Sequence, residues 1–199
     1  QSDGRTVMIV SRGQRLLGLL AVADALKPGA AEAVAELRRL GVEAAMITGD
    51  NRPTAEAIAR QAGIAQVTAD VLPHQKADAI RHLQQIRRGP VAMVGDGIND
   101  APALAAADVG VALGTGTDVA IESADVTLVR GDLDALVAAV RLSRAASRVI
   151  RQNLAWAFGY NLVALPLAVL GLLHPVVAEI AMAVSSLTVV GNSLRLRRR

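Results

Sequence analysis

Three short stretches carry side chains suited to phosphate chemistry. The longest, Gly95-Asp96-Gly97-Ile98-Asn99-Asp100, sets two carboxylates four residues apart among glycines. Hard oxygen donors of this kind suit Mg2+, which usually binds through one or two carboxylates together with substrate phosphate. A plain turn, with Asn99 as an N-cap and an acidic first helical turn, accounts for one or two of these residues but not for the whole run into Ala101-Pro102. Thr48-Gly49-Asp50 offers a hydroxyl, backbone amides and a glycine that lets the main chain approach an anion. The same tripeptide is also an ordinary turn. The third candidate is Lys76, three residues after Pro73. The chain has 21 lysines and arginines together, of which only Lys27 and Lys76 are lysines. Surface charge is thus left to arginine, and a retained lysine suits a task that needs a compact ammonium, such as contact with a phosphoryl oxygen. Lys27, beside Pro28, reads equally well as a solvated side chain before a helix.

These stretches need elements to hold them. Thr6–Val10 and Leu16–Ala23 are apolar runs separated by a short polar turn and read as an antiparallel hairpin. Pro28-Gly29 opens a helical pattern through Ala30, Val34, Leu37 and Leu40, with Gly41 as its stop. Val42–Ile47 follows as a buried strand that delivers Thr48. Pro53–Ala62 and His74–Ile86 read as helices, Val91–Val94 as the strand that delivers Gly95, and Asn99–Ala106 as a short helix. Val109–Leu113 and Val126–Val129 add two strands. Short apolar strands alternating with helices predict an α/β domain with a mostly parallel sheet, whose ligands gather at the C-terminal strand ends. All three candidate stretches fall in such loops or at the helix start beyond them.

Asp132–Ile150 reads as a long amphipathic helix, and beyond it the composition changes. Between Arg151 and Arg195 the only formal charge is Glu179. Leu154–Leu173 is 20 residues without a charge, about the length that crosses a hydrocarbon core. His174-Pro175 makes a break, and Val176–Val190 continues the apolar character, so the pattern predicts a transmembrane hairpin. Arg148 and Arg151 before it and the arginine tail after it place both ends in the cytoplasm by the positive-inside bias. The net charge is +3, and the arginines at 195, 197, 198 and 199 supply four positive units. The rest of the chain is therefore slightly acidic, which argues against a nucleic-acid surface. There is no cysteine, hence neither a disulfide framework nor a thiolate metal site. The chain opens Gln1-Ser2-Asp3-Gly4 with no basic-then-apolar leader and reads as a fragment.

Within the apolar stretches the polar residues stand out. Tyr160-Asn161 lie in the first, and Met182, Ser185 and Ser186 lie on one helical face of the second. A thioether favours a soft ion such as Cu(I). Ordinary helix packing explains the same small and hydroxyl residues, with methionine as a gap filler.

Together, Thr48-Gly49-Asp50-Asn51, Pro73-x-x-Lys76 and Gly95 through Leu104 resemble the P-type ATPases, essentially from end to end of the chain. The resemblance implies a haloacid-dehalogenase-like phosphorylation domain followed by a two-helix transmembrane hairpin. Residues 1–23 would close a nucleotide-binding domain, 24–147 would form the phosphorylation domain, and 148–199 would hold the spans, about 153–173 and 175–194, with a basic tail. By similarity Thr48 and Gly49 would hold the phosphoryl group, with Asp50 among the catalytic residues, Lys76 would neutralise it, and Asp96 would bind Mg2+, with Asn99 and Asp100 completing the site and Asp100 joining Asp96 in cofactor binding. ATP would be the donor. The family's phosphorylated aspartate, in an Asp-Lys-Thr-Gly-Thr motif, is not in this sequence, so the fragment alone is expected to be inactive.

The Tyr-Asn pair and the Met-x-x-Ser-Ser run resemble copper-exporting heavy-metal pumps. Tyr160, Asn161, Met182 and Ser186 would then contribute to a Cu(I) transport site. The implied partners are the lipid bilayer, the remainder of the pump and a copper chaperone. A zinc or cadmium pump is the nearest alternative and would be expected to carry a charge within the spans. A membrane-anchored phosphatase of the same superfamily is a second, which would need its own nucleophilic aspartate; Asp24 lacks the loop for that.

Overall fold

The computed structural model describes residues 6–13, 15–22, 26–114 and 116–198. It divides into two units, one up to Val137 and one from Ala138 onward.

The first unit begins with an antiparallel hairpin, β1 (Thr6–Arg12) and β2 (Arg15–Val22). Met8, Ile9 and Val10 are all exposed, as are Leu16, Leu17, Leu19 and Leu20. Alternate side chains of a strand point to opposite faces, so both faces of the hairpin present apolar surface. Ala23, at the end of the expected second strand, and Asp24 lie outside the described residues.

After the hairpin the chain alternates helices and parallel strands. α1 (Ala30–Arg39) buries Ala30, Ala33, Val34 and Leu37 and stops ahead of Gly41, whose φ is 72°. β3 is only Ala45–Ile47, and none of its three residues is fully buried. The expectation of a buried strand over Val42–Ile47 is corrected on both counts. β3 pairs in parallel with β4 (Gln66–Thr68), and among the described residues it pairs with nothing on its other edge. Between them runs α2 (Arg52–Ala62), capped by Asn51 Oδ1, which accepts from Thr54 N at 3.1 Å. Proline in its first turn costs no hydrogen bond there.

A 3₁₀ turn at Pro73–Gln75 leads into α3 (Lys76–Ile86). The second parallel sheet has the order β5 (Ala92–Gly95), β6 (Val109–Leu113), β7 (Val126–Leu128). α4 (Ala101–Ala106) and α5 (Asp118–Glu122) lie between its strands. The core is built from Ile80, Met93, Ala103, Leu104 and Ala120, with Ile47 packed against it, so one apolar cluster serves both β3 and β5. With almost no aromatic residues available, alanine lets the elements approach closely enough to exclude water.

α6 covers Leu133–Val169, Pro166 included. No breaker separates the amphipathic stretch from the apolar one, which explains their continuity. The helix stops at Val169 rather than near 173, because Gly171 takes a φ of 70° and its amide and that of Leu172 return to Ala168 and Leu167 at 3.0 and 2.9 Å. This is a glycine C-cap closure. α7 (Pro175–Leu194) is capped by His174 Nδ1, which accepts from Val176 N at 3.3 Å.

In the second unit the two helices are stitched antiparallel. Tyr160 Oη donates to Ala178 O at 2.9 Å, Asn153 Nδ2 to Ser193 Oγ at 2.9 Å, and Asn192 Nδ2 to Asn153 Oδ1 at 2.9 Å. Among the described residues one stretch, Val176–Leu194, is long and apolar enough to cross a membrane by length and composition.

Candidate active site

The loops that follow β3, β4, β5 and β6 are joined by backbone and side-chain bonds. Thr48 N donates to Thr68 O at 3.0 Å, continuing the β3–β4 pairing by one residue into the loop. Thr48 Oγ1 then accepts from Asp50 N at 3.1 Å and donates to Asp50 Oδ2 at 2.8 Å. The turn reading of this tripeptide holds: the hydroxyl closes the turn, and the closed turn fixes the backbone amides. Val71 N donates to Thr48 O at 3.1 Å and Asp70 N to Asp50 O at 2.9 Å, with Asp70 in the left-handed region at φ 57°. A Cβ on Gly49 would stand 3.3 Å from Val71 O. The segment laced to Thr48 in this way runs directly into Pro73 and Lys76, where Gln75 Oε1 accepts from Leu72 N at 3.1 Å and holds the turn.

Lys76 Nζ lies 2.6 Å from Asp100 Oδ1, with the two side chains only 17% and 13% exposed. The other carboxylate oxygen, Asp100 Oδ2, accepts from Gly97 N at 3.3 Å, so both oxygens of Asp100 are engaged. Asp96 is half exposed, and Oδ2 takes a different ammonium, that of Lys27 at 3.2 Å. The backbone of Asp96 is held from the loop after β6: Thr117 N donates to Asp96 O at 3.0 Å, and a Cβ on Gly116 would lie 2.7 Å from that oxygen. Asn99 is exposed on the 3₁₀ turn of Ile98–Asp100. α4 takes no side-chain cap, so an N-cap role does not explain Asn99.

Of the expected residues, Lys76, Asp96, Asn99 and Asp100 therefore share one loop and its neighbour, and Thr48, Gly49 and Asp50 are tied to them through residues 70–76. Three residues that touch Asp96 are not singled out by the sequence: Lys27 through its ammonium, and Gly116 and Thr117 through the loop after β6. Gly114-x-Gly116-Thr117 following an apolar strand was a signal of the same kind as the two loops that were singled out.

No group of three or more His, Cys, Asp or Glu side chains suited to a metal occurs among the described residues. Mg2+ fits this better than an ion needing an all-protein cage, because it takes one or two carboxylates and fills the rest of its octahedron with water and phosphate. Asp96 supplies an accessible hard oxygen, with the Lys27 ammonium 3.2 Å from it.

In the second unit, Asn161 Nδ2 donates to Ala157 O at 2.9 Å within its own helix. Tyr160 reaches Ala178, one turn ahead of Met182. Met182 and Ser186 are exposed. Among the described residues no hydrogen bond joins any two of Tyr160, Asn161, Met182 and Ser186.

A haloacid dehalogenase-like hydrolase model matches residues 1–108. The chain belongs to that family. Over 198 residues it is 56% identical to a copper-exporting P-type ATPase of Bacillus subtilis and 58% identical to a probable copper-exporting P-type ATPase V of Mycobacterium tuberculosis. All of this chain aligns in both cases, against 25% and 26% of those proteins, so it spans about a quarter of their length. A crystal structure of a zinc-transporting PIB-type ATPase in an E2.Pi state superposes with a TM-score of 0.87 at 43% identity, covering 98% of this chain and 32% of that one. The haloacid dehalogenase-like fold and its parallel sheet are thus established.

Proposed function

We propose that this chain is part of an ATP-driven Cu(I)-translocating P-type ATPase, to which it contributes the Mg2+ and phosphoryl site and part of the metal path. The observation that carries the phosphoryl-transfer half is the pairing of Lys76 with Asp100 in the loop after β5 that also bears Asp96, with the Thr48 loop tied to the segment leading into Lys76. The copper half rests on the relatives' names and on the soft donor Met182 within an apolar helix.

In this reading Thr48 and the amides around Gly49 bind the phosphoryl oxygens, and Lys76, oriented by Asp100, neutralises their charge. Mg2+ at Asp96, with Asp100 nearby, supplies further charge neutralisation when bound. Positioning and electrostatics carry most of the work in transfers of this type. The accepting aspartate comes from elsewhere in the longer protein. Among the described residues β3 and β5 each have an edge with no partner strand; backed by one core, these edges suit a strand bearing that residue, and the two-faced apolar hairpin β1–β2 suits cover by a nucleotide-binding domain.

Residues 148–199 form the membrane part, with the soluble domain and both ends of this chain in the cytoplasm. The exposed Leu162, Leu165, Ile180 and Leu187 face lipid or the pump's other helices. Tyr160, Asn161, Met182 and Ser186 act as Cu(I) ligands, each having oxygen or sulfur to offer once the remaining helices are present. A zinc pump is the second reading, favoured by the solved structure that superposes here.

The test is phosphorylation of the full-length protein by radiolabelled ATP. An acid-stable phosphoenzyme that Asp96→Asn abolishes is expected. Asp96-dependent turnover of a phosphate monoester with no phosphoenzyme would point instead to a membrane-anchored phosphatase.

A further inference from the structure

The two lysines of this chain both reach aspartates of the same six-residue loop, but the two pairs differ. Lys76 and Asp100 are close, at 2.6 Å, and nearly shielded from water; Lys27 and Asp96 are 3.2 Å apart, and their side chains are 51% and 50% exposed. The first pair is locked, whereas an exposed pair holds weakly and exchanges readily.

Lys27 is not a dangling side chain that happens to fold back. It precedes Pro28, which confines its backbone to extended conformations. Its carbonyl accepts from Ala30 N at 3.1 Å, and Gly29 follows in the left-handed region with φ 79°. A Cβ on Gly29 would stand 3.6 Å from the Asp134 carboxylate, so the turn sits against the start of α6 and presents Lys27 toward Asp96.

We propose that Lys27 is a resident counter-ion of Asp96 that a divalent cation must displace, so that Lys27 sets how tightly the site holds Mg2+. This rests on Asp96 being the Mg2+ ligand. The ammonium occupies an oxygen the cation needs and raises the positive potential around it, so loading is an exchange of one cation for another. The residue type fits that task. Every other cationic side chain except Lys76 is arginine or histidine, yet a guanidinium here could grip the carboxylate through two parallel hydrogen bonds and oppose exchange. A single-point ammonium keeps Asp96 neutralised and ordered while the site is empty, and yields it when a divalent ion arrives. Lys27 is therefore a positioning residue for the metal site.

Mn2+ is the probe, titrated into the full-length protein without nucleotide and followed by the loss of its free paramagnetic resonance signal. Lys27→Met is expected to tighten Mn2+ binding about two- to fivefold at low ionic strength, with the difference shrinking as salt is raised. Lys27→Arg is expected to weaken it. A merely structural lysine would give no tightening, so unchanged or weaker binding in Lys27→Met overturns the proposal. Asp96→Asn separates the two levels: loss of the Mn2+ site supports the ligand assignment, and retention of it overturns that assignment along with the role of Lys27.

Discussion

Gly95 lacks a side chain where Asp100 has one: a Cβ on Gly95 would stand 2.8 Å from Asp100 Cβ and 3.1 Å from Asp100 Cγ. The glycine at the end of β5 is therefore needed less for its backbone freedom than for the room it leaves to the carboxylate that holds Lys76. Gly95→Ala forces either the strand end or Asp100 to move, because the near atom is a Cβ close to its own main chain and cannot swing aside. The expected cost is about 1–3 kcal/mol, together with a loss of phosphoenzyme formation well beyond what the lower stability explains. Thermal unfolding and a radiolabelled ATP assay on the same preparation check both parts.

Lys76 and Asp100 should behave as a coupled unit. Removing one member of a pair so poorly exposed leaves the other charge without its partner, so Lys76→Met is expected to destabilise by about 3 kcal/mol. The double variant Lys76→Met/Asp100→Leu should cost clearly less than the sum of the two single changes, which a double-mutant cycle on denaturation midpoints measures.

Gly116→Ala tests the support beneath Asp96. The added methyl would lie 2.7 Å from Asp96 O and 2.8 Å from Leu113 O, both backbone atoms, so the loop after β5 must shift. Mn2+ affinity is expected to fall several-fold while Lys76 and Asp100, held through α3 and the 3₁₀ turn, stay paired. Full Mn2+ affinity in this variant would show that the loop after β6 does not position Asp96.

In the helical hairpin Asn192 donates to both Asn153 Oδ1 and Gln152 Oε1, at 2.9 and 3.2 Å. On the reading proposed above, in which this hairpin lies in a membrane, interhelical hydrogen bonds are worth about 0.6 kcal/mol each on average. Asn192→Leu is therefore expected to lower stability by about 1 kcal/mol, with ATP-dependent phosphorylation retained, as read from thermal unfolding in detergent.

The candidate loops stand out in the sequence because glycine and proline punctuate them at strand ends, and the structure does place them beyond β3 and β5. β6 was legible to the residue, since Val109–Leu113 is a continuous apolar run. β4 was missed because Gln66-Val67-Thr68 offers one apolar residue in three, and α5 because five residues give no helical period. β3 was overestimated: apolar character extends from Val42, but pairing on a single edge sustains only Ala45–Ile47. The sequence points to a break at His174-Pro175, whereas Gly171 closes α6 earlier. Lys27 was undecidable from the sequence because its partner is 69 residues away, and only the fold brings the Pro28 turn to the loop after β5.

The most direct measurement is metal-stimulated ATP hydrolysis by the full-length protein in vesicles, with Cu(I) and Zn2+ compared. Stimulation by Cu(I), abolished in Met182→Ala and Asn161→Ala with nucleotide binding intact and abolished with either metal in Asp96→Asn, is the predicted result. Undiminished Cu(I) stimulation in both membrane variants, or hydrolysis driven by Zn2+ and indifferent to Cu(I), would contradict the account.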